Sequence, residues 1–65
     1  MVKYPNVKVK LVGTDGNAFA VIGKVVRALR DAGISETEVD DFRDEAMSGD
    51  YNHLLMTAME CVDVH

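Results

Sequence analysis

Residues 7–33, VKVKLVGTDGNAFAVIGKVVRALRDAG, decide the fold because their hydrophobic period changes from two residues to about 3.6. Residues 7–12 alternate apolar and basic side chains, which is typical of a strand with one buried face. Val7, Val9 and Leu11 face inward, and Lys8 and Lys10 face water. We expect Pro5 to mark the start of the strand, because proline is tolerated at the first residue of a strand.

The second part of this stretch predicts a turn followed by a helix. Residues 13–17 (GTDGN) have turn composition, and Asp15 or Asn17 can cap the helix that follows. The helix is predicted over 18–32, and Gly33 ends it. One broad apolar face is expected to hold Ala18, Val21, Ile22, Val25, Val26, Leu29 and Ala32, with Phe19 at its edge and also in the core.

Two more helices and a short strand are predicted downstream. Ser35-Glu36-Thr37-Glu38 is a capping box, in which Ser35 and Glu38 bond each other's backbone amides at the start of a helix. The stretch 48–50 (SGD) ends that helix and caps a third, whose wide apolar face is expected to include Met59. The tail 62–65 alternates again and indicates a second strand.

The order strand–helix–helix–helix–strand predicts an α+β fold. We expect one compact domain over residues 1–65, with a small two-stranded sheet packed on the helices. If the helices run antiparallel in turn, the last strand returns parallel to the first, and a right-handed crossover places the two side by side.

Composition limits the classes of protein to which the chain can belong. The 65 residues include 48% hydrophobic and 28% charged side chains, which are ordinary globular values. The sequence has neither an apolar run long enough to span a membrane nor the features of a secretory signal. Its one cysteine, Cys61, allows no internal disulfide, so we expect a cytoplasmic protein.

Charge is distributed unevenly along the chain. The net charge is −4, yet residues 1–33 carry six basic and two acidic side chains, and residues 34–65 carry nine acidic side chains and one basic. Such asymmetry is typical either of a polyanion-binding face or of two halves that neutralise each other in the fold. The candidate nucleic-acid-binding residues are Lys8, Lys10, Lys24, Arg27 and Arg30. Because the domain is acidic overall, we expect no measurable binding to duplex nucleic acid.

The glycine-rich junction is a candidate phosphate site. Amides at a helix N-terminus can bind phosphate, and the residues concerned are Gly13, Gly16 and Asn17. The spacing fits neither the Walker loop nor the G-x-G-x-x-G motif, and Asp15 would repel an anion. A turn followed by a cap explains the same residues.

The sequence predicts neither an enzyme nor a cofactor. Ser48, Asp50 and His53 are close in sequence, but helix capping already accounts for Ser48 and Asp50. Together with Cys61 and His65, Asp50 and His53 lack the paired spacing of a structural zinc site. We therefore expect no catalytic residue, metal or cofactor.

Four segments carry a resemblance to other proteins. The stretches VKLVGTDGNAF (9–19), GKVVRALR (23–30) and SGDYNHLL (48–55), with VDV (62–64) near the end, resemble short uncharacterised proteins encoded in bacterial and phage genomes. The resemblance covers most of the chain and implies an independently encoded small cytoplasmic protein. It implies no activity, ligand or catalytic residue.

These observations favour a small non-enzymatic interaction module with an unknown protein partner. The alternative is a nucleic-acid-associated accessory protein that uses the basic side of the first strand and helix. Because a two-stranded sheet leaves an open strand edge, we expect a monomer or a weak homodimer.

Overall fold

The computed structural model describes residues 2–11 and 17–65 and has the predicted element order. The elements are β1 (Tyr4–Val9), α1 (Ala18–Asp31), α2 (Glu36–Ala46), α3 (Tyr51–Cys61) and β2 (Val62–Val64). The chain is thus an α+β domain of three helices and a two-stranded sheet. The predicted end of the first strand, Val12, lies outside the described residues.

The two strands are parallel neighbours, as the crossover argument predicted. Lys8 lies opposite Asp63, and Val9 lies opposite Val64. The strand begins at Tyr4, one residue before the start predicted at Pro5. Tyr4 pairs with Val62 of β2, and the Lys3 amide donates to the carbonyl of Glu60, near the end of α3, at 2.8 Å. The pairing register is irregular between Tyr4 and Lys8, which is where proline interrupts the strand.

Side-chain caps set the helix boundaries. Asn17, Ser35 and Asp50 cap α1, α2 and α3, and each accepts from the backbone amide three residues on. Gly33 follows α1 with φ +82°, a conformation that favours glycine. The Gly33 amide donates to the Arg30 carbonyl and the Ile34 amide to the Leu29 carbonyl, both at 3.0 Å, which closes the helix end.

The core lies between the inner face of the sheet and the three helices. Leu29, Val25, Val39, Ala58 and Val62 are fully buried at its centre. The remaining buried apolar side chains are Val7, Val9, Val21, Val26, Phe42, Ala46, Leu54 and Cys61. The inward direction of Val7 and Val9 confirms the predicted faces of β1, with Lys8 and Lys10 exposed.

Several side chains depart from the expectation, and one of them, Ala32, is exposed just after α1 ends at Asp31. Phe19 is 78% exposed and Met59 is 58% exposed, so the prediction that both belong to the core was wrong. Only one of the two hydrogen bonds of the predicted capping box forms: the Glu38 amide lies 3.4 Å from Ser35 Oγ. The Glu38 carboxylate instead accepts hydrogen bonds from Lys3, just before β1, and from Tyr4 of β1. The charge-assisted hydrogen bond from Lys3 therefore replaces the predicted bond between the Glu38 carboxylate and the Ser35 amide.

None of the helices within the described residues has the length and apolar content needed to cross a bilayer.

Candidate functional site

A basic groove runs between β1 and α1. Lys8, Val9 and Lys10 line its strand side, and Lys24, Arg27, Ala28 and Asp31 line its helix side. Its volume is about 250 Å³ and it is open to solvent. The alternating pattern of β1 and the turn spacing of α1 thus bring together cations that are far apart in the sequence.

The basic groove contains four of the five predicted nucleic-acid-binding residues. The fifth, Arg30, lies outside it and forms a two-point ion pair with Glu36, with N–O distances of 3.0 and 2.9 Å. This pairing raises the pKa of Arg30 and lowers that of Glu36, through the side-chain hydrogen bonds first. The structure therefore divides the predicted set into a groove of four cations and one paired arginine.

Part of the charge in the basic groove is already neutralised. Lys8 pairs with Asp63 at 3.2 Å, and the Lys24 ammonium donates to the Lys10 carbonyl at 3.4 Å. The Arg27 guanidinium has no ion-pair or hydrogen-bond partner in the part of the chain that the structure describes. The Lys10 ammonium also has no such partner there, so Arg27 and Lys10 are the cations best able to contact an added anion.

Among the residues that the structure describes, three ion pairs join the basic half of the chain to the acidic half. They are Lys3–Glu38, Lys8–Asp63 and Arg30–Glu36. These contacts support the interpretation in which the two halves neutralise each other within the fold. All three pairs are exposed, so each contributes little to the stability of the fold.

The candidate phosphate site is described only at its last residue. Gly13 and Gly16 lie outside the described residues. The Asn17 side chain accepts from the Ala20 amide at 3.1 Å and so serves as the cap of α1. This contact matches the interpretation of a turn followed by a cap, and phosphate binding stays a prediction.

A second surface, the apolar cleft, lies where α1 begins, α2 ends and α3 begins. Its apolar lining consists of Ala18, Phe19, Ile22, Ala46, Met47, Tyr51 and Leu54, and Gly49 and Asp50 complete it. The volume is about 210 Å³. Phe19 and Met47 are 78% and 57% exposed beside it. The sequence analysis missed this surface because it assigned Phe19 to the core. The position of Phe19 at the edge of the apolar face of α1 was the feature that could have indicated its exposure.

A serine, a histidine and a carboxylate meet where α2 ends and α3 begins. His53 Nε2 lies 2.8 Å from Glu45 Oε2 and 3.2 Å from Ser48 Oγ. In a nucleophilic triad the carboxylate and the hydroxyl contact opposite nitrogens of the imidazole. Here both contact the same nitrogen, so the cluster ties the loop together and does not form a proton relay.

A second cluster, formed by Lys3, Tyr4 and Glu38, connects the start of β1 to α2. Glu38 Oε2 accepts from Lys3 Nζ at 2.6 Å and from the Tyr4 hydroxyl at 3.1 Å, and these bonds lower the pKa of Glu38. Lys3 also lies 5.5 Å from the centre of the Tyr4 ring. Nearby, burial raises the pKa of the Cys61 thiol, which disfavours the reactive thiolate. We assign this cluster a structural role.

Within residues 2–11 and 17–65, no group of three or more histidine, cysteine, aspartate or glutamate side chains could hold a metal ion.

No protein-family model, no curated protein and no solved structure matches the chain. The resemblance to short bacterial and phage proteins thus stays a prediction, and the function must be argued from the surfaces of the domain itself.

Proposed function

We propose that the chain is a non-enzymatic interaction module that binds another protein through the apolar cleft. The observation that carries the proposal is the 78% exposure of Phe19, a large aromatic side chain at the edge of a cleft lined by three helices. Exposed apolar patches bordered by polar residues are typical of protein-binding surfaces.

The energetics favour a role for Phe19 in binding over a role in folding. Burying a phenylalanine side chain is worth about 1.5–3 kcal/mol, and Phe19 gains little of this in the folded chain. A partner that covers the ring would gain that free energy on association. Aromatic side chains beside a concave surface are frequent anchors of protein interfaces.

The absence of a proton relay at His53 supports the non-enzymatic part of the proposal. Ser48 and Glu45 both contact Nε2, so the serine has no histidine that a carboxylate orients from the other side.

The nucleic-acid alternative has weaker support. Two of its five residues, Lys8 and Arg30, are paired with carboxylates, and the net charge of the chain is −4. A protein must replace counterions around nucleic acid with free cations, and paired side chains do this poorly.

The test compares Phe19→Ala with Met56→Ala in the full chain. Met56 is 61% exposed and lies outside the apolar cleft, so its truncation is a matched loss of exposed apolar surface. A protein retained from a lysate by the immobilised wild-type chain is purified, and its affinity for all three chains is measured by calorimetry. We expect Phe19→Ala to weaken binding at least about tenfold and Met56→Ala to leave it nearly unchanged. Equal affinity for the three chains would contradict the proposal.

A further inference from the structure

The outer edge of β1 presents backbone groups that β2 does not use. The Val9 carbonyl accepts from the His65 amide and the Leu11 amide donates to the His65 carbonyl, both at 2.9 Å, so the backbone of these two residues faces β2. Successive residues of a strand direct their N–H and C=O groups to opposite edges. The backbone groups of Lys8 and Lys10 therefore face the other edge, where the described part of the sheet has no third strand.

The basic groove lies along this same edge. Its helix side carries Lys24 and Arg27, and the bond from Lys24 to the Lys10 carbonyl shows that this helix face reaches the outer edge of the strand. A second depression of about 350 Å³ continues beside β1, lined by residues 3–7 and by Ala32 and Ile34 after α1. The two depressions, together called the trough below, lie beside residues 3–7 and 8–10 in turn.

We propose that the outer edge of β1 binds an extended, acidic segment of another protein by strand addition. The segment would exchange hydrogen bonds with the backbone of Lys8 and with the Lys10 amide, and its backbone would displace the Lys24 ammonium from the Lys10 carbonyl. Its side chains on the helix side would meet Lys24 and Arg27, and those on the opposite face would meet the side chains of Lys8 and Lys10. This binding site is separate from the apolar cleft and does not depend on it.

The chemistry of the trough favours a polypeptide over nucleic acid. An open strand edge offers alternating donors and acceptors, which match a peptide backbone and have no counterpart in a sugar–phosphate chain. Proteins that bind single-stranded nucleic acid add aromatic side chains for base stacking, and none lines the basic groove. Asp31 in the groove also opposes a continuous row of phosphates.

Charge complementarity selects acidic peptides. On its helix side the groove carries Lys24 and Arg27 against Asp31, and Arg27 has no partner among the described residues. Carboxylates at alternate positions of an added strand would lie on one face of that strand. On the helix side of the groove, that face would meet Lys24 and Arg27.

The test is a titration of the full ¹⁵N-labelled chain with a capped seven-residue peptide in which glutamate alternates with valine and threonine. We expect shifts along β1, together with slower hydrogen exchange at the Lys8 and Lys10 amides. Arg27→Gln should weaken binding by about two- to fivefold, as expected for an exposed ion pair. Arg30→Gln, on the same helix but outside the groove, is the matched control and should leave the affinity unchanged.

Three comparison ligands separate strand addition from other modes of binding. A peptide with lysine in place of glutamate should not bind, and a peptide N-methylated at alternate positions should lose the protection of Lys8 and Lys10. Equal binding of the methylated peptide would overturn strand addition. An oligothymidylate that binds where the acidic peptide does not would assign the groove to nucleic acid instead. Shifts at Lys8 and Lys10 that depend on the concentration of the chain alone would assign the edge to a second copy.

Discussion

At the scale of single residues, two glycines have opposite surroundings although both are exposed. A Cβ added at Gly23, inside α1, would meet nothing within 4 Å. A Cβ added at Gly49 would lie 2.9 Å from Cβ and Cγ of His53. The first glycine only weakens its helix, whereas the second leaves room for the imidazole that bonds Glu45.

We therefore predict opposite effects of two alanine substitutions. Gly23→Ala should raise the free energy of unfolding by about 0.5–1 kcal/mol, because alanine loses less backbone entropy in a helix. Gly49→Ala should lower it by about 1 kcal/mol or more, since His53 must move and its contacts with Glu45 and Ser48 are lost. Urea unfolding of the two variants measures both changes, and changes of the same sign would contradict the local geometry.

At the scale of elements, the contact between β1 and α2 depends on one carboxylate. Hydrogen bonds from Lys3 and Tyr4 lower the pKa of Glu38 in the folded chain. A group whose pKa is lower in the folded state stabilises the fold above its ordinary pKa, about 4.3, and loses this contribution as the pH falls through the lowered value.

We predict that Glu38→Gln reduces the loss of stability in acid. At neutral pH the variant should be less stable than the wild type, and the two should converge as the pH falls below about 4. Glu60→Gln is the matched control, since the described residues contain no ion-pair partner for Glu60, and it should follow the wild type. Glu36, whose pKa Arg30 lowers, keeps some acid sensitivity in every variant. Thermal melts across the pH range test this, and parallel curves for Glu38→Gln and wild type would contradict it.

Local sequence signals predicted the elements better than the surfaces. Capping side chains are local, so Asn17, Ser35 and Asp50 marked the helix starts correctly. The start of β1 depends on a partner strand more than 50 residues away in the chain, and no local signal shows that pairing. The strand therefore begins at Tyr4, one residue before the start that Pro5 indicated.

Burial was predicted correctly at the middle of each apolar face and wrongly at its edges. Val9, Val25 and Leu29 are buried as expected, but Leu11 and Ile22 are only half-buried. Periodicity gives the angle of a side chain around its helix, yet not how far the neighbouring elements extend over it. The same limit hid the apolar cleft, because Phe19 lies in the first turn of α1.

The predicted cations Lys8, Lys10, Lys24 and Arg27 did come together, but only the pairing of β1 with β2 shows that they follow an open edge.

At the scale of the whole molecule, the fold neutralises much of its own charge and leaves two distinct surfaces. Exposed ion pairs join the basic half to the acidic half, while Phe19 and Met47 stand beside the apolar cleft and Arg27 beside the basic groove. A domain of this size has a thin core and gains relatively little from burial, so a bound partner would add to its stability. An interaction module is consistent with both properties.

Site-specific photocrosslinking in the cells that produce the chain tests the central claim most directly. A photoreactive benzoylphenylalanine replaces Phe19 or Met47 at the apolar cleft, and Met56 or Met59 as equally exposed positions outside it. The account predicts that both cleft positions crosslink to the same protein and that the two control positions do not. Equal crosslinking from all four positions, crosslinking from the controls alone, or none from the cleft would contradict it.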